Sequence, residues 1–276
     1  LQDNLAGAAN EYQKNLEAKP DYYPYGARNG LAAIDLRRGN FEKAIEQRKQ
    51  QIEISLRVGE KAWEAGAHSA LVGLYWIQGR ITMADAEVDA LEKIADEENF
   101  VGFKLQSLWR RGFLYVEKKS ISEASKTAEE FKKLLDTMLF KRQVRYYFNL
   151  MGLIELQKND PSKAVKYFEQ ALSLDPSPDG FKDSWLLYCL GLGYFKNGDL
   201  EKARQTYEKI NSQLSSKWSG DTYVKSFYWL GRIAEQQGDK VKASEHYRKF
   251  LELWKDADPG ITEVDDAKKR LASLIL

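Results

Sequence analysis

Residues 146–176 read YYFNLMGLIELQKNDPSKAVKYFEQALSLDP, and this stretch decides the fold. Phe148, Met151, Leu153 and Leu156 recur at helical spacing. Asn159, Asp160 and Pro161 then interrupt the pattern. A second helix begins with Pro161 in its first turn, where the missing N–H is no loss, and Asp160 or Ser162 can cap it. Val165, Phe168, Ala171 and Leu172 form the apolar stripe of that helix. Asp175-Pro176 closes it, because proline disfavours a helical conformation in the residue before it. The unit is a helix hairpin. Gly152 lets its first helix approach the second closely, and Ala164 and Ala171 do the same from the other side.

The same registers recur in both directions along the chain. Ala44, Ala84, Ala124, Ala164, Ala203 and Ala243 follow one another at steps of 40, 40, 40, 39 and 40 residues. Five residues before each stand Gly39, Gly79, Lys119, Asn159, Gly198 and Gly238, and twelve before each stand Ala32, Val72, Gly112, Gly152, Gly191 and Gly231. A period in this range is the mark of a stacked helical array. The turn position calls for a left-handed backbone, which glycine adopts freely and asparagine tolerates. Lys119 is the exception and is expected to carry about 1 kcal/mol of strain there.

The repeat resembles the tetratricopeptide repeat. The matching residues are Leu187, Leu190-Gly191, Tyr194, Ala203 and Tyr207 in one copy, and Phe227, Leu230-Gly231, Ala243 and Tyr247 in the next. The copy quoted above adds the terminal Pro176. Ala32 and Val72 depart from the usual glycine, and the period of 40 exceeds the usual value of about 34. The surplus is assigned to longer helices and to the connections between repeats. The resemblance implies an all-α, right-handed superhelical solenoid of antiparallel helix hairpins with about fourteen helices.

As one domain over 1–276, the chain divides into a partial repeat at 1–20, repeats at 21–57, 58–97, 98–138, 139–178, 179–217 and 218–257, and a capping helix in 258–276. The partial repeat is a lone second helix over about residues 3–18, with Ala8, Tyr12 and Pro20 in the repeat's relation. It implies further repeats or another domain upstream. Asp265, Asp266, Lys268, Lys269 and Arg270 offer the polar outer face that a terminal helix needs, so the C-terminus reads as native. HYRKFLELWKDADPG at 246–260, followed by EVDDAKKRLASL at 263–274, is similar to the end of bacterial repeat arrays fused behind signalling domains, protein kinases especially.

Composition narrows the partners. Lys+Arg number 42 and Asp+Glu 41, a net charge of +1, which offers no general attraction to nucleic acid or to an anionic membrane. The single Cys189 excludes an intramolecular disulfide and a multi-cysteine metal site, and leans towards a reducing, cytoplasmic setting. No apolar run is long enough to span a bilayer.

A catalytic constellation is absent from the pattern. The two histidines fall in different repeats: His68 reads as a packed core residue and His246 as a surface one. Cys189 reads as a buried, inert thiol. Gly191-Leu192-Gly193 lies inside a helix with no strand before it, so the dinucleotide fingerprint fails. Glu97-Glu98 and Glu129-Glu130 read as solvated faces. Neither enzyme activity nor a cofactor or metal is expected. Trp76, Tyr115, Tyr167 and Tyr207 read as wedges between helices.

First helices line the inner wall of such an array. Counting from the packing glycines, its exposed concave face is expected to carry Trp109, Phe113, Asn149, Leu153, Tyr188, Leu192, Tyr228 and Arg232. Large aromatics with Asn and Arg suit a groove for a peptide or protein segment. The Lys and Asn clamp by which some tetratricopeptide domains hold a carboxylate is not supported, since these places are mostly aromatic or aliphatic. The expected function is a non-catalytic protein-interaction scaffold, the C-terminal arm of a larger bacterial regulatory protein. The alternative is a small-molecule-sensing array in a signalling or transcriptional regulator.

Overall fold

The computed structural model describes residues 4–18, 24–138, 143–177, 182–213 and 220–275. Pro20 and the expected boundaries near 20, 139, 179 and 217 lie outside the described residues. The described residues form fourteen α-helices and no strand. A lone helix α1 (Leu5–Ala18) precedes six hairpins: α2 (Pro24–Arg37) with α3 (Phe41–Val58), α4 (Lys61–Ile77) with α5 (Ile81–Glu98), and α6 (Val101–Glu117) with α7 (Ile121–Asp136). Then come α8 (Val144–Gln157) with α9 (Pro161–Ser173), α10 (Ser184–Lys196) with α11 (Leu200–Ser212), and α12 (Asp221–Gln236) with α13 (Lys240–Leu253). Helix α14 (Thr262–Ile275) packs on the last hairpin.

The six turns share one backbone device. Gly39, Gly79, Gly198 and Gly238 have positive φ, and so do Lys119 at 60° and Asn159 at 61°. Asp160 caps α9 by accepting the Lys163 N–H at 3.0 Å, and Asp239 does the same for α13 with Lys242.

In the last three hairpins a glycine of the first helix faces an aromatic ring of the second. A Cβ on Gly191 would lie 2.7 Å from the Tyr207 ring, and one on Gly231 would lie 2.6 Å from Tyr247. The same side chain on Gly152 would meet the Phe168 ring. Each aromatic stands four residues after the repeat alanine, so glycine and ring are a single packing unit. Where the first helix carries Val72, the second carries Val88. Gly112 faces a repeat with Ala128 at the ring position, and Leu150 of the next hairpin fills the space.

The array closes on itself. First helices touch the first helices of neighbouring hairpins on the inside, while the second helices lie outside them. An inner circumference shorter than the outer one makes the stack curve. After six hairpins the ends meet: α12 packs against α2. Phe41 meets Trp254 edge-on at 5.5 Å, with both rings buried. The Asp258 N–H donates to the Gly39 carbonyl at 3.0 Å, and its carboxylate accepts the Glu42 N–H at 2.8 Å. The Arg37 guanidinium lies 4.2 Å from the centre of the Tyr223 ring. One continuous core therefore runs from Ala32 to Ala267.

Candidate binding cavity

Closure leaves a cavity of about 630 Å³ inside the ring of first helices. Helical spacing puts Gln106, Trp109, Arg110 and Phe113 of α6 on one face, and all four line it. Helix α4 contributes Ser69 and Trp76. The starts of α8, α10 and α12 close the far side with Tyr146, Trp185 and the pair Asp221 and Thr222. The walls are held by aromatic contacts across repeats. Trp76 meets Phe113 edge-on at 4.9 Å and Trp185 at 6.1 Å, and Trp109 packs on Tyr146 at 5.1 Å.

One charge in this wall has no counter-charge. Arg110 Nε donates to Ser69 Oγ at 2.8 Å, and its guanidinium lies over the Trp109 ring at 4.3 Å. No carboxylate among the described residues pairs with it. Burial pulls its pKa down to about 10, so it remains a cation at neutral pH. Arg111, the next residue and about 100° further round the helix, is held by Glu92 at 2.8 Å and Asp85 at 3.4 Å. The carboxylates of the wall are themselves engaged. Asp221 pairs with buried Lys225 at 3.3 Å, and Glu263 reaches the same ammonium at 3.3 Å. Asp183 accepts the Trp185 N–H at 2.9 Å as the cap of α10, and Arg145 offsets part of its charge.

The eight residues expected on an exposed concave face divide. Trp109 and Phe113 line the cavity. Phe113, Asn149, Leu153, Tyr188 and Tyr228 are only 3%, 0%, 7%, 8% and 5% exposed, which corrects the expectation of an open face. Tyr188 stacks on Trp185 at 5.8 Å and accepts the Trp229 indole N–H at 3.0 Å. Asn149 Oδ1 accepts the Trp185 indole N–H at 3.2 Å. The Tyr228 hydroxyl donates to Asp266 of α14 at 2.7 Å and accepts from Arg232 at 2.9 Å. Leu192 and Arg232 remain half-buried. The reason is curvature: inner positions of a closed ring meet inner positions of other repeats instead of water.

Trp76, read from sequence as a wedge between helices, lines the cavity as well. Tyr115 and Tyr167 are half-buried, and Tyr207 is fully buried. Arg110, Tyr146 and Trp185 were missed. The available signal was a cation at helical spacing from Gln106 on the same face as Phe113. His68 is half-buried and bonds through Nδ1 to Glu87 at 2.6 Å, so it is a paired rather than a packed core residue. His246 is half-buried too, not a surface residue, and burial lowers its pKa. Cys189 is buried, and burial pushes its thiol up to about 12. Among the described residues no group of three or more His, Cys, Asp or Glu is placed to hold a metal, and no helix is long and apolar enough to cross a membrane.

Stacked hairpins closed around an inner wall of first helices define a helical-repeat solenoid. Tetratricopeptide repeat models match residues 146–178 and 224–254. Photosystem I assembly protein Ycf3 of Prochlorococcus marinus is 30% identical over 122 residues, 42% of this chain and 67% of that protein. Ycf3 of Rippkaea orientalis is 28% identical over 109 residues, 38% of this chain and 61% of that one. The chain thus spans about three fifths to two thirds of the length of these relatives. A tetratricopeptide repeat protein from Parabacteroides merdae has the same fold, with a TM-score of 0.55 at 15% identity over 99% of this chain and 93% of that one. A chain of the APC/C hetero-tetramer Cut9-Hcn1 has a related fold, with a TM-score of 0.54 at 11% identity over 99% of this chain and 46% of that one. The chain belongs to the tetratricopeptide repeat family.

Proposed function

We propose that this protein is a non-catalytic interaction scaffold that takes a segment of a partner protein into the cavity bounded by α4, α6, α8, α10 and α12. The observation that carries the reading is the cavity wall: Trp76, Trp109, Tyr146 and Trp185 surround a space of about 630 Å³ beside Arg110, a cation with no counter-charge among the described residues. Aromatic and arginine side chains are the usual anchors of protein recognition. The likeness to assembly proteins supports a scaffold role, since assembly is what those relatives are named for. The resemblance of residues 246–274 to arrays behind signalling domains supports a place in a larger regulatory protein, and the single buried cysteine suits a cytoplasmic one. The size of the cavity, about 630 Å³, also favours the second reading, a small-molecule sensor.

Site-directed photocrosslinking tests the first reading. A photoreactive residue at Gln106, in the cavity wall, is expected to capture a partner protein from the source cells. The same group at exposed Glu129 on α7 is expected to capture none. Capture from Glu129 alone would move the site to the outer face.

A further inference from the structure

The cavity carries a mismatch between its shape and its charge. Its walls are aromatic and suit an apolar body, yet among the described residues Arg110 has one hydroxyl partner and no anion. Arg110 is half-buried, and a carboxylate reaching it through the cavity would pair with it in surroundings that screen charge less than water does. The other charged groups near the wall cannot fill this place. Asp221 is held by Lys225, and Asp183 is turned to the N–H groups of α10. Trp109 fixes one face of the guanidinium, which leaves its in-plane N–H groups for a fork-shaped acceptor.

We propose that the cavity binds a single organic anion: one carboxylate on Arg110, with an aromatic or branched apolar body against Trp76, Trp109 and Trp185. The volume lies within the range of roughly 300–1,000 Å³ usual for small-ligand sites. Such a group is found both in a free organic acid and at the C-terminus of a peptide. The proposal rests on the reading of the cavity as the binding site and adds the chemistry of what enters it.

The test is isothermal titration calorimetry on the full 276-residue chain with two matched pairs of probes. One pair is 3-phenylpropionate and 3-phenylpropionamide. The other is a pentapeptide ending in phenylalanine, with a free or an amidated C-terminus. The expected result is that the acid of at least one pair binds about tenfold or more tightly than its amide, as loss of a charged hydrogen-bond partner implies. A preference confined to the first pair identifies a free acid, and one confined to the second a peptide terminus. Arg110→Gln is expected to abolish the preference and Arg110→Lys to retain part of it, with circular dichroism checking that both fold. Equal binding of acid and amide overturns the proposal while leaving the cavity as a site. So does a preference that survives Arg110→Gln. No binding by any probe at millimolar concentration overturns both the proposal and the cavity reading.

Discussion

Lys119 holds a φ of 60° at a turn where four of the other five copies carry glycine. A side chain in that conformation costs about 1 kcal/mol, so Lys119→Gly is expected to stabilise the fold by roughly 0.5–1 kcal/mol in a denaturant titration. Tyr188 and Tyr228 behave as core residues. Tyr188 packs against Trp185 and Tyr207 and accepts the Trp229 indole N–H, and Tyr228 ties the last hairpin to α14. Truncating either to alanine is expected to cost about 3–5 kcal/mol, as loss of a buried ring does. Their melting temperatures should therefore fall together with that of Tyr207→Ala. A Tyr188→Ala protein that melts like the parent would restore an open concave face.

At the scale of elements, two junctions are particular to this chain. The first is the clasp between the α2–α3 turn and the segment after α13. Gly39 and Gly79 both have positive φ, at 79° and 70°. A Cβ on Gly79 meets nothing within 4 Å, whereas one on Gly39 would lie 2.5 Å from Ala257 Cβ. Gly79→Ala is expected to cost only the backbone term of about 1 kcal/mol. Gly39→Ala should cost more, and thermal melting of the pair reads the difference directly. The second junction is α14, held to α12 by the Tyr228 hydroxyl on Asp266 at 2.7 Å and by Arg270 on Glu235 at 3.0 Å. Burial opposes ionisation of Asp266, but hydrogen bonds from Arg270 and Tyr228 prevail and hold it below the usual carboxylate range. A carboxylate with a lowered native pKa stabilises the fold above its unfolded pKa and loses that effect as pH falls through the native one. Acidification should weaken the docking of α14, and Asp266→Asn should flatten that part of the stability–pH curve.

At the scale of the whole molecule, closure converts a groove into a cavity. Opening the clasp should enlarge the particle without unfolding its hairpins, because the glycine–ring contacts of the last three hairpins, Gly152 with Phe168, Gly191 with Tyr207 and Gly231 with Tyr247, are internal to them. A Gly39→Ala, Asp258→Ala double variant is expected to keep its helical circular dichroism while its radius of gyration by small-angle scattering increases. An unchanged radius would mean that the core contact of Phe41 with Trp254 suffices to hold the ends together.

The local features were legible in the chain alone. Hairpins, turns and caps depend on residues fewer than about twenty apart, so a repeating pattern exposes them, whereas the rings of Tyr207 and Tyr247 that fill the space beside Gly191 and Gly231 came from the structure. The fourteen helices follow from the same pattern. Curvature is different in kind. It accumulates from small rotations between hairpins, and no single residue encodes it. Tertiary structure alone decided that Asp258 would meet Gly39 across 219 positions of chain, that Tyr188 and Tyr228 would be core, and that Arg110 would face a cavity while Arg111 faced the carboxylates of α5.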